Sequence, residues 1–129
     1  MDSYTSAQDA VRAAHGISRT GAALIESWEA FVEECATGYS FDIAEYRNEL
    51  RVRNEIEVLV SSERLRRYKD HDSFVAIVRA IDERFKALGH ATWHFATAST
   101  WWERVVPVRA GHDFASYCLQ VYGFRIKDA

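Results

Sequence analysis

The chain carries few residues that break a helix: one proline, Pro107, and six glycines in 129 residues. That scarcity argues against a many-turned β fold and for helices. Cysteine is scarce too. Cys35 and Cys118 stand apart with no C-x-x-C, which excludes a disulfide scaffold and a zinc ribbon. They read as two buried free thiols in a reducing cytosol, with a single bridge left open by spacing alone. No apolar stretch approaches the ~18 residues of a bilayer span, so a membrane is not an expected partner. The opening segment MDSYTSAQDAVRAA has early acids and no basic n-region, and no signal peptide is expected. A cytoplasmic location follows from these readings.

A basic excess is also missing. Lys and Arg number 16 against 19 Asp and Glu, a net charge of −3, so nucleic acid is not the expected partner. The charge is unevenly spread. Residues 1–60 hold 11 acids and 5 bases, whereas residues 61–129 hold 8 acids and 11 bases. Two oppositely charged faces would favour self-association or docking to a charged partner. Glycine loops of the G-x-x-x-x-G-K-[ST] and G-x-G-x-x-G kinds do not occur, and no serine sits on a G-x-S-x-G elbow.

What the chain does have is apolar residues at 48% and aromatic residues at 13%, enough for one packed, ring-rich core. The expected fold is all-α: an irregular bundle of five to six helices in a single domain, 1–129, with strands an option only in the C-terminal third. Over 20–37, Leu24, Ile25, Trp28, Phe31, Val32 and Cys35 share one arc, Glu26, Glu29 and Glu33 lie opposite, and Gly38 is the cap. Over 73–88, with Asp72 or Ser73 as cap, Phe74, Ile77, Val78, Ile81, Phe85 and Leu88 share a face. Arg79, Asp82, Glu83 and Lys86 form the outside, in i,i+4 pairs. Ser40 can cap a helix over 41–60 with two apolar faces, Ile43, Tyr46 and Leu50 against Phe41, Val52, Ile56 and Leu59. Such a helix is either sandwiched within its own subunit or packs outward against a second copy, which suggests a homodimer.

Shorter helices are expected over 7–15, capped by Ser6, and over 114–122, capped by Asp113. The stretch HATWHFATASTWWERVVPV suits helix by its Thr100–Glu103 capping-box spacing and strand by its rings and β-branched residues; it is read here as helix.

Four histidines invite a metal reading. His90 and His94, spaced H-x3-H, share a face if helical, and His71-Asp72 and His112-Asp113 add carboxylates nearby. The order of these histidines is loosely similar to that of hemerythrin-like bundles. That pattern needs a glutamate four residues after the first histidine and an aspartate five after the last, where this chain has Val75 and Tyr117. No family is assigned on it. The bland alternative is that the histidines are capping, surface or satisfied core groups. The acidic zone Glu26, Glu29, Glu33, Glu34, Asp42, Glu45 and Glu49 is similar in kind to the Mg²⁺-holding helices of nucleotide pyrophosphohydrolases, but its first three members face water on the helix drawn above.

The leading functional expectation is a non-enzymatic protein-binding module of the small accessory, immunity or inhibitor type, with a protein partner and no cofactor. The alternative is a small metal-dependent helical enzyme or metal binder using His90, His94 and nearby carboxylates. Trp101 shares a helical face with His94, Ala98 and Val105 and is the expected core member. Trp102 then points outward as a partner anchor, with Arg104 and Arg109 as rim. Both rings inside is the competing arrangement. Arg64, Arg66 and Arg67 form a second candidate contact, for phosphate or for an acidic surface.

Overall fold

The computed structural model describes residues 3–96 and 99–128. Seven helices run through them: α1 (Tyr4–Ala14), α2 (Gly21–Thr37), α3 (Ile43–Val60), α4 (Glu63–Arg66), α5 (Lys69–Ala87), α6 (Trp101–Arg104) and α7 (His112–Tyr122). Five are long and two are single turns. Four short strands lie among the described residues: β1 (Gly89–His94), β2 (Val105–Pro107), β3 (Arg109–Ala110) and β4 (Lys127–Asp128). β1 pairs antiparallel with β2, and β3 pairs parallel with β4. The all-α expectation holds, with the strands confined to the C-terminal third.

The long helices start where short polar side chains satisfy free amides. Ser3, Thr20 and Asp42 accept from the backbone of Ser6, Ala23 and Glu45, capping α1, α2 and α3. The expected caps Ser6 and Ser40 are displaced by these residues, and Phe41 falls outside α3 and is exposed. α5 begins four to five residues earlier than Asp72 or Ser73 allow, at Lys69, with Asp70 and Asp72 in its first turn where the helix dipole favours carboxylates. Gly111, not Asp113, precedes α7. Its amide donates to the Tyr39 carbonyl, and a β-carbon there would lie 3.0–3.2 Å from Ser40 and Tyr39 backbone atoms, so only glycine fits the crossing comfortably. Arg12 fastens the loop after α1 by donating to the carbonyls of Ile17, Ser18 and Arg19.

The buried residues form one hydrophobic cluster. α2 supplies Leu24, Trp28, Phe31, Val32 and Cys35 as the periodicity predicts. α5 supplies Phe74, Val78, Ile81 and Phe85, but Ile77 is exposed. α3 buries both expected faces, Ile43, Tyr46 and Leu50 as well as Val52, Ile56 and Leu59, with α1, α2, α5 and α6 packed around it. The sandwich is complete within one subunit, so α3 offers no spare apolar face to a second copy.

The largest departure from the sequence reading lies at Asp82. Expected outside with Lys86, it is 5% exposed and accepts from Arg53 at both oxygens, Nε to Oδ1 and Nη2 to Oδ2, each at 2.9 Å. Trp28 Nε1 donates to the same Oδ1 at 3.0 Å. Arg53, itself buried, donates through Nη1 to Glu57 and lies 4.5 Å from the centre of the Trp102 ring. Lys86 pairs with Glu83 instead and sits 4.5 Å over Trp101.

The stretch after α5 also departs from expectation. α5 ends at Ala87 with Leu88 as its cap, and Gly89 already opens β1, where Thr92 and Trp93 suit a strand. The register with β2 slips between Gly89↔Pro107 and His94↔Val105. His90 folds this irregularity around itself, accepting at Nδ1 from the amides of Thr92 and Trp93 and stacking on the Trp93 ring.

An ion pair this deep gives a stability signature. Arg53→Ala and Asp82→Ala should each cost about 3–5 kcal/mol, because each leaves an uncompensated buried charge. The double substitution Arg53→Met, Asp82→Leu should cost less than either, since it buries no charge. Trp28→Ala should cost about 3–5 kcal/mol through the cavity, and Glu29→Ala less than about 0.5. Urea melts of the five variants check the ordering; an Asp82→Ala variant as stable as wild type would show that the pair does not hold the core.

Candidate functional site

The six residues expected to bind a partner are not brought together. Trp102 is 5% exposed, and its Nε1 donates to Asn54 Oδ1 at 2.8 Å. Trp101 is the half-buried ring, so the two tryptophans have exchanged the roles expected of them. The helical argument fails because α6 is one turn long and the chain leaves it as a strand at Val105. Ala98, part of that argument, lies outside the described residues. Arg104 and Arg109 are exposed, on α6 and β3. Arg64, Arg66 and Arg67 are exposed around α4, elsewhere on the molecule. There Arg66 lines a groove with Glu57, Asp72, Arg79 and Glu83, and Arg64 borders another with Val11 and Val58.

Nor do the histidines converge. His90 and His94 lie on the irregular strand β1 and not on a helix, so the shared helical face is lost, and His90 Nδ1 is taken by the Thr92 and Trp93 amides. His71 is buried and satisfied: the Tyr4 hydroxyl contacts Nδ1 at 2.7 Å, Nε2 faces the Val60 carbonyl at 3.3 Å, and the ring stacks on Phe74. His112 is exposed at the start of α7, 3.4 Å from Asp128. Among the described residues, no three His, Cys, Asp or Glu side chains are placed to share a metal ion. Glu26, Glu29 and Glu33 are exposed, as the periodicity predicts, and Glu33 pairs with Arg84.

A nucleophile is equally hard to find. Cys35 and Cys118 are buried free thiols. Burial pushes Cys35 far up, helped by Glu34 and Glu49, and pushes Cys118 up to about 11 against the opposing pull of Arg47. The Tyr39 phenol, which donates to Glu49, is raised first by burial and then by that carboxylate. Glu34 and Glu49 line a cleft of about 560 Å³ between α2 and α3, with Arg51, Glu55, Arg19 and Ser27 among others. The shifts of Cys35, Cys118 and Tyr39 all favour the neutral form, so none of the three offers a reactive anion.

Two surface features remain, and they adjoin. The first is the outer side of α7. Tyr117, Leu119, Val121 and Tyr122 are 39%, 48%, 54% and 37% exposed, and Val108 just before the helix is exposed as well. Tyr117 and Val121 are one turn apart, and the Tyr117 and Tyr122 rings lie 6.3 Å apart, so these three side chains adjoin, whereas Leu119 lies across the buried stripe of the helix and lines a separate groove with His112, Ser116 and Ile126. The second is a cleft of about 440 Å³ lined by Arg47, Leu50, Arg51, Asn54, Phe95, Glu103 and Tyr122. Tyr122 belongs to both. Arg47 donates to the Tyr122 hydroxyl at 2.7 Å and lies 5.8 Å over the Phe95 ring. Arg51 has no hydrogen bond or ion pair among the described residues. The Glu103 carboxylate is engaged by the Thr100 hydroxyl at 2.6 Å. Trp102 stands behind this cleft as the support of Asn54.

The cleft was legible in part. Arg47, Arg51 and Asn54 follow the i, i+4, i+7 spacing of one helical stripe, a signal that the two apolar faces of the same helix overshadow. Phe95 and Tyr122, far apart in sequence, carried no such mark. No protein-family model, curated protein or solved structure matches the chain, so the reading of this surface stands on its geometry.

The raised thiols and phenols set a pH dependence. The unfolded chain loses these protons near the ordinary thiol and phenol values, about 8.5 and 10, whereas the folded chain keeps them longer. Their contribution is therefore fully present at neutral pH and is lost as pH rises above about 8.5. Melts from pH 7 to 10.5 should show falling stability, and a thiol reagent at pH 8 should attack the native protein more than about 100-fold slower than the denatured chain. Rapid labelling of either native cysteine would contradict the burial assigned to it.

Proposed function

We propose that this protein is a non-enzymatic protein-binding module of the small accessory, immunity or inhibitor kind, which engages its partner through α7. The observation that carries the reading is the exposed apolar surface of Tyr117, Val121 and Tyr122. Grouped apolar exposure of this kind marks interaction sites, because water is released when it is covered. Among the described residues, four of the seven exposed large apolar side chains lie on α7; Phe41, Ile77 and Val108 are the exceptions. Tyrosine suits such a site, giving large contact area at low entropic cost. The partner anchor moves accordingly from Trp102 to α7, and Arg47 and Arg51 take the place of Arg104 and Arg109 as the charged rim.

A second copy of the chain is the competing occupant. With α3 enclosed, the α7 surface is where a homodimer would form. The reading includes a cytoplasmic location, which two free, buried cysteines support. No helix among the described residues is long and apolar enough to cross a membrane.

The test separates folding from binding. Tyr117→Ser with Val121→Ser should change stability by less than about 1 kcal/mol, since both side chains are partly exposed already. It should weaken capture of the protein's partners by at least about tenfold in affinity purification against wild-type bait. If the variant captures the same proteins as wild type, α7 is not the interface. Light scattering over a range of concentrations identifies a homodimer, and its loss in the variant would assign the surface to a second copy.

A further inference from the structure

We propose that the cleft between α3 and the C-terminal segment recognises a carboxylate side chain of the partner, flanked within a few residues by a bulky apolar side chain that lies on α7. The proposal rests on the α7 reading and adds to it the chemistry of the partner.

Charge complementarity carries it. Arg47 and Arg51 are successive members of one helical stripe, both exposed, and both line the cleft. Neither has a carboxylate partner among the described residues. This sets them apart from the other arginines of the first sixty residues, since Arg12 pairs with Asp9, Arg19 with Glu55 and Arg53 with Asp82. Arg47 is held by the Tyr122 hydroxyl and by the Phe95 ring, which fixes its direction without neutralising it. Asn54 is also held, by the Trp102 indole. Two guanidinium groups at one mouth, at least one of them restrained, match the bidentate geometry of a carboxylate.

The floor decides what kind of anion fits. Leu50, Phe95 and Tyr122 contribute the apolar part of the lining, and Tyr122 carries it onto α7. A side chain that is acidic at its tip within an apolar segment satisfies both parts. A polyphosphate chain does not: only two cations line the cleft, Glu103 lines it as well, and the chain is negative overall. Acidic peptide is therefore favoured over nucleic acid.

Affinity selection from a random 12-residue peptide library, displayed on phage, tests the proposal. Peptides enriched on the wild-type protein should carry Asp or Glu within three residues of Trp, Phe, Tyr, Leu or Ile. Their affinity, measured by fluorescence anisotropy with synthetic peptides, should fall about tenfold with Arg51→Gln, a change at an exposed side chain that leaves melting unaltered. Arg47→Gln should act in the same direction; because it also releases Tyr122, Arg51→Gln is the decisive variant. Replacing the peptide's own carboxylate by the amide should reproduce the loss on wild type and have little further effect on the variant.

Three outcomes overturn the proposal. Enriched peptides that are basic or uncharged, yet fail to bind the Tyr117→Ser, Val121→Ser protein, would leave the α7 reading intact and remove the carboxylate. Peptides that bind all variants alike, or no enrichment at all, would remove both. Binding of a 20-nucleotide single-stranded RNA that Arg51→Gln abolishes, without peptide enrichment, would assign the cleft to phosphate.

Discussion

Asp82 accepts three hydrogen bonds inside the protein, two from Arg53 and one from Trp28, and in doing so fastens three helices at one point. Bringing a guanidinium and a carboxylate out of water is costly, and the geometry has to be complete for the pair to be tolerated. Here both carboxylate oxygens are used, a second carboxylate, Glu57, takes another arginine nitrogen, and the Trp102 ring covers the guanidinium face. A core built around such a pair admits few alternative arrangements. Sliding α3 by one residue would leave a charge buried without its partner.

The consequences run outward from that point. Because Arg53 faces inward, Arg51 and Arg47 are carried to the exposed side of the same helix. Because Trp102 is drawn over Arg53, α6 lies against α3, and its indole reaches Asn54 on the surface side. The wall of the Arg47–Arg51 cleft is thus set by the buried network behind it. The aromatic cluster of Phe31, Tyr39, Tyr46 and Phe114 does the same for the C-terminal helix, with Tyr46 meeting Phe114 at 5.1 Å and donating to the Val105 carbonyl. α7 buries Phe114, Ala115 and Cys118 against that cluster and presents its remaining apolar residues to solvent. A helix so arranged is secured on one side and exposed on the other, which suits the interaction role proposed for it.

The groups that look chemical in the sequence turn out to be occupied with structure. His71 ties α1 to α3 through Tyr4 and Val60, and His90 shapes an irregular strand. Cys35 lies in the core, and Tyr39 is committed to Glu49. In each case burial or a backbone bond uses the lone pair or proton that chemistry would need.

The all-helical class and the positions of α2, α3 and α5 were determined by the sequence, because apolar residues at a period of 3.6 admit no other regular structure over fifteen or more residues. So were the two apolar faces of α3, although only the packing shows both enclosed in one subunit, and the solvent exposure of Glu26, Glu29 and Glu33. Helix starts were less legible, since several serines and aspartates near each end compete as caps and tertiary packing selects among them. What only the tertiary structure decided is everything that depends on a partner distant in sequence. Asp82 reads as a surface residue paired with Lys86 until Arg53, 29 residues earlier, is seen to reach it. Trp102 reads as exposed until Asn54 and Arg53 are found beneath it. Local periodicity records which face of a helix is apolar, whereas the sign and depth of a single charged or indole group follow from contacts that no local pattern encodes.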